Sequence, residues 1–103
     1  MPDDISHARA VAALRFRALG DETRLWLLAL LRNAERTVAD LMDDTGLGQS
    51  LVSHHLRTLR QAGLVTTRRE GRWMHYRIVP AALMSTRLVV DGLAPSVARG
   101  ATP

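Results

Sequence analysis

The chain has 103 residues, of which 47% are hydrophobic and 23% are charged, and its formal net charge is +4. This size and apolar content predict one folded domain rather than a disordered tail. The chain has no cysteine, which excludes disulfides and thiolate metal sites. The sequence pI is about 11.2, so we expect an acidic partner, with nucleic acid and an anionic membrane surface both open at this point. All fourteen basic residues are arginine, whose guanidinium suits phosphate and guanine.

The first residues and the apolar runs bear on location. The opening sequence MPDDISHARA is acidic and lacks the positive flank and apolar run of a secretory signal. The longest apolar run, residues 25–31, is far shorter than the roughly 20 residues that a transmembrane helix needs. We therefore expect a cytoplasmic protein without a membrane partner.

The first two predicted elements are helices. Residues 5–19 carry apolar side chains at helical spacing until Gly20 interrupts the pattern. Asp21 is a suitable N-cap for a second helix that ends near Asn33. Because this helix is apolar on most sides, it is predicted to be the central buried helix, with Trp26 in the core.

A helix-turn-helix pattern follows. Thr37 and Asp40 predict a capping box that opens a short third helix. The glycine-rich sequence TGLG at residues 45–48 predicts a tight turn between helices. A fourth helix is predicted over residues 49–62, with Gly63 as its C-terminal stop.

A β-hairpin and a last helix complete the pattern. Residues 64–69 and 72–79 are predicted strands, joined by a turn around Glu70-Gly71. Pro80 fits the first turn of the last helix.

The predicted fold is mainly α with a small β-hairpin between the fourth and fifth helices. We expect a single domain over residues 1–94, which includes the first and last helices. The small and polar residues 95–103 are predicted to form a flexible tail.

Basic charge is concentrated in the fourth helix and the hairpin. Residues 45–79 contain six arginines and one acid, Glu70, which gives +5. Residues 1–44 contain six arginines and eight acids, which gives −2. A positive field of this kind attracts a polyanion whatever its sequence.

The fourth helix has one apolar and one polar face. The residues predicted to face the core recur at helical spacing and are Val52, His55, Leu56 and Leu59. His55 is therefore expected to be a buried, hydrogen-bonded imidazole. The opposite face suits base edges and phosphates, and its residues are Gln49, Ser50, Ser53, His54, Arg57 and Arg60. A merely solvated face is the plainer interpretation, but the preceding turn, the lack of acids and the basic hairpin favour DNA.

The hairpin is the second predicted DNA-binding element. Arginines at a thin β tip can enter a minor groove, and here they are Arg68, Arg69 and Arg72. The plainer interpretation is a charged tip that maintains solubility. We favour a DNA-binding wing because the hairpin directly follows the predicted recognition helix.

A series of motifs runs in order from about residue 19 to residue 78. The motifs are ALGD (18–21), TRL (23–25), QS (49–50), VSHHL (52–56), LRQAGLV (59–65), REGR (69–72) and YR (76–77). At this spacing the chain resembles the ArsR/SmtB family of bacterial winged helix-turn-helix repressors. The resemblance implies a homodimer formed through the first and last helices, and repression of an operon until an inducer releases the DNA. Because a two-fold dimer carries two recognition helices, we expect the DNA operator to be an inverted repeat.

The metal-sensing motifs of that family are incomplete in this chain. Many members carry CVCDL at the start of the third helix, whereas Thr37 and Ala39 occupy the two thiolate positions here. Another family site joins an aspartate to histidines near the last helix, but Asp91 is followed by Leu93 and no histidine follows His75. We therefore expect neither a metal nor a cofactor, and the inducer stays open.

Two alternatives to an operator-binding repressor remain. The first is a metalloregulator with a noncysteine site across a dimer, for which the candidate ligands are His7, His75, Asp3, Asp4 and Asp91. The second is a protein-interaction module built on the winged fold. An enzyme is not expected, because no nucleophile, base and orienting group come together in the sequence.

Overall fold

The computed structural model describes the backbone of residues 2–95 and the side chains of residues 5–95. Five helices and a two-stranded sheet follow one another in the predicted order within this part of the chain, which confirms the predicted fold class. They are α1 (Pro2–Leu19), α2 (Glu22–Leu30), α3 (Val38–Thr45), α4 (Gln49–Gln61), β1 (Val65–Glu70), β2 (Trp73–Ile78) and α5 (Pro80–Leu93). None of these helices is long and apolar enough to cross a membrane. Most of the predicted tail, residues 96–103, lies outside the described residues.

The core is built from aliphatic side chains around α4. Helices α1, α2 and α3 all contact α4, so this helix is held by three others. The largest fully buried side chains come from α2, α3, α4, the residue before β1 and the first residue of β1, and they are Leu27, Leu41, Val52, Leu56, Leu59, Leu64 and Val65. The predicted apolar face of α4 is therefore the buried one.

Local hydrogen bonds define the short helix α3. The Thr37 hydroxyl accepts a hydrogen bond from the Asp40 amide at 3.1 Å, and the Asp40 carboxylate accepts one from the Thr37 amide at 3.0 Å. The predicted capping box is thus confirmed. Gly46 ends α3 with φ of 75°, a left-handed conformation that favours glycine. The turn between α3 and α4 follows directly from these residues.

Helix α1 is longer and more exposed than predicted. It begins at Pro2 rather than at residue 5, because proline is tolerated in the first turn of a helix. Ala12 and Ala18 are buried, whereas Ile5 is 61% exposed and Phe16 is also exposed. The apolar stripe of α1 is therefore only partly covered within this chain.

Helix α2 is shorter and less buried than predicted. It ends at Leu30 rather than near Asn33. Its inner side packs against α1 and α4, but on the outer side Leu25 is 52% exposed and Trp26 is 44% exposed. The prediction that Trp26 lies in the core is wrong, because the other described elements of the chain leave this side of α2 open.

The hairpin turns one residue later than predicted. Glu70 pairs with Trp73 at the end of the antiparallel ladder, so the turn consists of Gly71 and Arg72 rather than Glu70 and Gly71. Gly71 has φ of 59°, which its lack of a Cβ permits. The tip therefore carries Arg72 in the turn itself.

A backbone bridge on the outer edge of β2 was not predicted. The Tyr76 amide donates to the Arg36 carbonyl at 2.8 Å, and the Arg36 amide donates to the Tyr76 carbonyl at 3.1 Å. Strand β2 thus pairs on both sides, with β1 and with the segment that precedes α3. The bridge holds the base of the hairpin against the helix-turn-helix.

Arg24 connects α1, α2 and α4. Its guanidinium donates to the Ala18 carbonyl at 2.6 Å and to the Arg17 carbonyl at 3.2 Å. It also lies 3.1 Å from Nδ1 of His55. Because guanidinium only donates, Nδ1 accepts and the ring proton is on Nε2. His55 is 8% exposed, so the prediction of a buried, hydrogen-bonded imidazole is confirmed.

The environment of His55 disfavours its charged form. Burial lowers the pKa of His55 below its ordinary value of 6.5, the Asp21 carboxylate opposes this shift, and the Arg24 guanidinium adds to it. The folded chain therefore resists protonation of this ring more than the unfolded chain does. The stability associated with the neutral ring is complete above the ordinary pKa and decreases as the pH falls below it.

We predict that His55 makes the folded state acid-sensitive. His55→Gln keeps an acceptor for Arg24 but cannot be protonated, so it should remove up to about 1.4 kcal/mol per pH unit from the pH dependence of unfolding below pH ~6.5. Urea unfolding between about pH 8 and about pH 5 measures this difference. Gln61→Asn, an exposed change at the end of α4 that alters no titratable group, is the control and should keep the wild-type slope. Equal slopes for His55→Gln and the wild type would contradict the prediction.

Candidate nucleic-acid interface

The polar face of α4 points away from the core. The structure brings all six predicted contact residues onto this side of the helix, where every one is exposed except Ser53, which is half-buried. They are Gln49, Ser50, Ser53, His54, Arg57 and Arg60. His54 and His55 are neighbours in sequence, yet one ring is exposed and the other is buried.

The exposed groups of α4 are available to an anion. Gly48 is the N-cap and offers no side-chain hydrogen bond, so the first amide groups of α4 have no side-chain cap. Such a helix end attracts phosphate. Among the described residues, no carboxylate lies within 4.0 Å of the Arg57 or Arg60 guanidinium. The helix can therefore contact both phosphates and base edges.

Two of the three wing arginines are similarly available. Within the described part of the chain, neither Arg69 nor Arg72 has a carboxylate within 4.0 Å. The Arg72 guanidinium lies 5.3 Å from the centroid of the Trp73 ring, within the range of a cation–π interaction. The Trp73 side chain therefore helps to position Arg72 at the tip.

Arg68 has a different environment at the base of the wing. Its guanidinium donates two hydrogen bonds to Oε1 of Glu35, from Nη2 at 2.7 Å and from Nε at 3.0 Å. Hydrogen bonding by Arg68 lowers the pKa of Glu35, so the Glu35 carboxylate stays charged. The Glu70 carboxylate lies 3.9 Å from Arg68 and 3.2 Å from His75. The role of Arg68 as a DNA contact stays a prediction. Unlike Arg69 and Arg72, it shares its charge with two acids.

Glu35 was not among the residues predicted from the sequence. It lies in the segment between α2 and α3 and joins that segment to β1 through Arg68. The two residues are 33 positions apart, and no periodic pattern connects them. The available signal was modest: a single acid stands just before the capping box, in a chain whose hairpin has an excess of arginine.

The candidate metal ligands whose side chains the structure describes are His7, His75 and Asp91, and they do not form a metal site in this chain. Among the described residues, no three histidine, aspartate, glutamate or cysteine side chains are placed to hold a metal ion. His75 lies beside Glu70, and Asp91 lies 3.8 Å from Arg87. The side chains of Asp3 and Asp4 lie outside the described residues.

The arrangement of these elements defines the class of the protein. Helices α3 and α4 form a helix-turn-helix, and the hairpin of β1 and β2 lies beside it with arginines at its tip. The chain is therefore a winged helix-turn-helix protein, a class in which the second helix of the motif enters the major groove of DNA.

Comparison with known proteins gives the family. Residues 21–67 match the family described as "Bacterial regulatory protein, arsR family". The chain is 41% identical over 83 residues to an HTH-type transcriptional regulator of Methanocaldococcus jannaschii, which covers 80% of this chain and 93% of that protein. It is 42% identical over 66 residues to the arsenical resistance operon repressor of Escherichia coli, over 63% of this chain and 56% of the repressor. The chain belongs to the ArsR family of transcriptional regulators and is not an enzyme.

A solved structure agrees with this assignment. The fold is similar to the solution structure of the homodimeric winged helix-turn-helix DNA-binding domain of a possible ArsR-family regulator from Mycobacterium bovis. The TM-score is 0.74 at 32% identity, over 87% of this chain and 85% of that domain. The predicted winged fold and the family resemblance are both confirmed.

Proposed function

We propose that the protein is a homodimeric, sequence-specific repressor that an effector releases from its DNA operator. The observation that carries the proposal is α4, whose six outward polar side chains lie on a helix without a single acid. Two relatives support it by their names. One is a repressor of an arsenical resistance operon, and the other is a homodimeric DNA-binding domain.

The outward residues of α4 have the chemistry for both kinds of DNA contact. Glutamine pairs with adenine and arginine pairs with guanine through bidentate hydrogen bonds, and serine accepts or donates to several bases. Ser53 and Arg57 lie in the middle of α4, so we assign base readout to them. Arg60 and the uncapped amino end of α4 would contact phosphates and orient the helix.

We predict that Arg57→Ala and Ser53→Ala each reduce the preference for operator over random DNA by roughly 1–3 kcal/mol. The operator is first selected from a random DNA pool with the wild-type protein, and the affinity ratio of selected to random DNA is then measured for each variant. Arg32→Ala is the matched control, because Arg32 is exposed after the end of α2. An unchanged ratio in both α4 variants would refute the assignment.

The wing would supply affinity rather than sequence preference. Arg69 and Arg72 have no acidic partner in the described chain, whereas Arg68 is bound to Glu35. An arginine that neutralises a phosphate releases condensed counterions. An arginine already paired with a carboxylate contributes less to this release.

We predict that Arg69→Ala and Arg72→Ala each lower the salt dependence of DNA binding by about 0.9 in the slope of log affinity against log salt. Arg68→Ala removes the same charge from the same hairpin and should lower the slope less. Fluorescence anisotropy with random duplex DNA over a series of salt concentrations measures the three slopes. A change for Arg68→Ala as large as for Arg69→Ala would contradict the smaller contribution that pairing with Glu35 predicts for Arg68.

The apolar surfaces of α1 and α5 support a dimer. Eight large apolar side chains on these two helices are 36% to 78% exposed, and they are Ile5, Leu14, Phe16, Met84, Leu88, Val89, Val90 and Leu93. The radius of gyration is 16.6 Å, whereas a compact domain of about 100 residues has one of roughly 13 Å. A second copy packed on α1 and α5 would cover these side chains.

The two-fold symmetry of the dimer would determine the arrangement of half-sites in the operator. Two copies related by a two-fold axis present two copies of α4 to the same side of the duplex. The half-sites of an inverted repeat would then lie about one helical turn apart. Footprinting that shows a single unpaired half-site would contradict this arrangement.

We predict that Leu88→Glu converts the dimer to a monomer and weakens operator binding at least about tenfold, because only one half-site can then be bound. Light scattering after size exclusion gives the mass, and anisotropy gives the operator affinity. Leu25→Glu is the control, since Leu25 is 52% exposed on α2 and Leu88 is 59% exposed on α5. A dimer that survives Leu88→Glu while Leu25→Glu breaks it would move the interface to α2.

A further inference from the structure

A groove lies between the amino end of α3 and the tip of the wing. It has a volume of about 350 Å³, within the size range of small-molecule sites. Its lining combines aliphatic and thioether side chains, one indole ring and three polar side chains, and includes Val38, Met42, Met74, Trp73, Arg72 and Gln49. We call it the α3–wing groove.

The two sides of the α3–wing groove are fixed relative to each other. The Arg36–Tyr76 backbone bridge joins β2 to the segment before α3. The Glu35–Arg68 pair joins the same segment to β1. The capping box holds the first turn of α3. A ligand would therefore enter a largely preformed site and lose little free energy in ordering it.

The electrostatic potential differs between the two ends of the α3–wing groove. Arg72 gives one end a positive charge, and in the described chain no carboxylate lies within 4.0 Å of it. The uncapped amino end of α4, where Gln49 begins the helix, adds positive potential. A second cavity of about 290 Å³ also borders Trp73 and is lined by Asp40 and His75. Because hydrogen bonds from Thr37 lower the pKa of Asp40, this carboxylate stays negative and would repel an anion from that side.

The walls favour an aromatic ligand. A planar ring packs well against an indole, and methionine sulfur makes favourable contacts with aromatic rings. Trp73 is 50% exposed, so much of its surface is open to a partner. The positive end favours an anionic group on the same molecule, held by the fork of Arg72.

We propose that the α3–wing groove binds a small aromatic anion, a carboxylate or a sulfonate, with its ring against Trp73 and its anionic group on Arg72. The ligand would contact Arg72 and Gln49, two side chains that we also propose as DNA contacts. Binding of the anion would therefore oppose binding of DNA. This coupling rests on the proposed function, whereas the site itself does not.

The site is tested with anilinonaphthalene sulfonate in the absence of DNA. Trp26→Phe leaves Trp73 as the only tryptophan, so quenching of its emission reports occupancy near the groove. We expect saturable quenching with one probe per chain, and a loss of at least about tenfold in probe affinity when Arg72→Ala is added. Arg77→Ala removes an exposed arginine of the same hairpin that is outside the groove lining, and should leave probe affinity unchanged.

A neutral probe distinguishes recognition of the anionic group from non-specific binding to apolar surface. Phenylnaphthylamine has a similar ring system without the sulfonate, and its affinity should be equal with and without Arg72. Equal affinity of the sulfonate for the Trp26→Phe protein and its Arg72→Ala variant would overturn the site. Absence of Trp73 quenching by a bound sulfonate would overturn it as well.

The coupling is tested with the selected operator. Saturating operator should weaken the sulfonate about tenfold at each groove. Because the linkage is reciprocal and saturating sulfonate fills both grooves of the dimer, it should weaken the operator by the square of that factor, roughly a hundredfold. A sulfonate that binds through Arg72 without changing operator affinity would overturn the coupling and leave the repressor proposal standing. If no DNA sequence is selected at all, the repressor proposal fails while the probe titration still decides the site.

Discussion

The interface depends on the burial of one face of α4 beneath α1, α2 and α3. Val52, Leu56 and Leu59 are completely buried, so the rotation of α4 about its axis is determined by packing. Consecutive residues on a helix point about 100° apart, and this separation makes His55 a core residue while His54 faces outward. Removal of the apolar face would therefore disturb the outward polar set even though none of its residues had changed.

The wing combines a rigid base with an unpaired tip. At the base, Arg68 is held by Glu35, and a backbone bridge joins β2 to the chain before α3. At the tip, Arg69 and Arg72 keep their charge free of acids in the described structure. Glu35 and Glu70 thus pair with Arg68 and His75, and they leave Arg69 and Arg72 without a carboxylate within 4.0 Å among the described residues. This arrangement explains how one hairpin can use Arg68 to fix its base and Arg69 and Arg72 to attract a polyanion.

Local chemistry could be predicted from the sequence, and distant pairing could not. The capping box of Thr37 and the glycine turn after α3 depend on neighbours within a few residues, and both were predicted. The two faces of α4 follow from periodicity alone. Trp26 was misplaced because an apolar helix does not reveal which side its own chain leaves uncovered. Glu35 was missed because its partner lies 33 residues away, and only the folded chain brings them together.

If the effector site overlapped the DNA-contacting surface, the effector could displace DNA without a conformational change in the core. An effector shifts an equilibrium only by its difference in affinity for the two states. In the proposed dimer each protomer has its own α3–wing groove, and each groove shares Arg72 and Gln49 with the DNA-contacting surface. A coupling of about 1.4 kcal/mol per protomer, tenfold in affinity, would become roughly a hundredfold when both grooves are filled, since both half-sites must be bound together. Such a mechanism needs no conformational relay through the core, and it places the response to the effector in the same hairpin that would contact the operator.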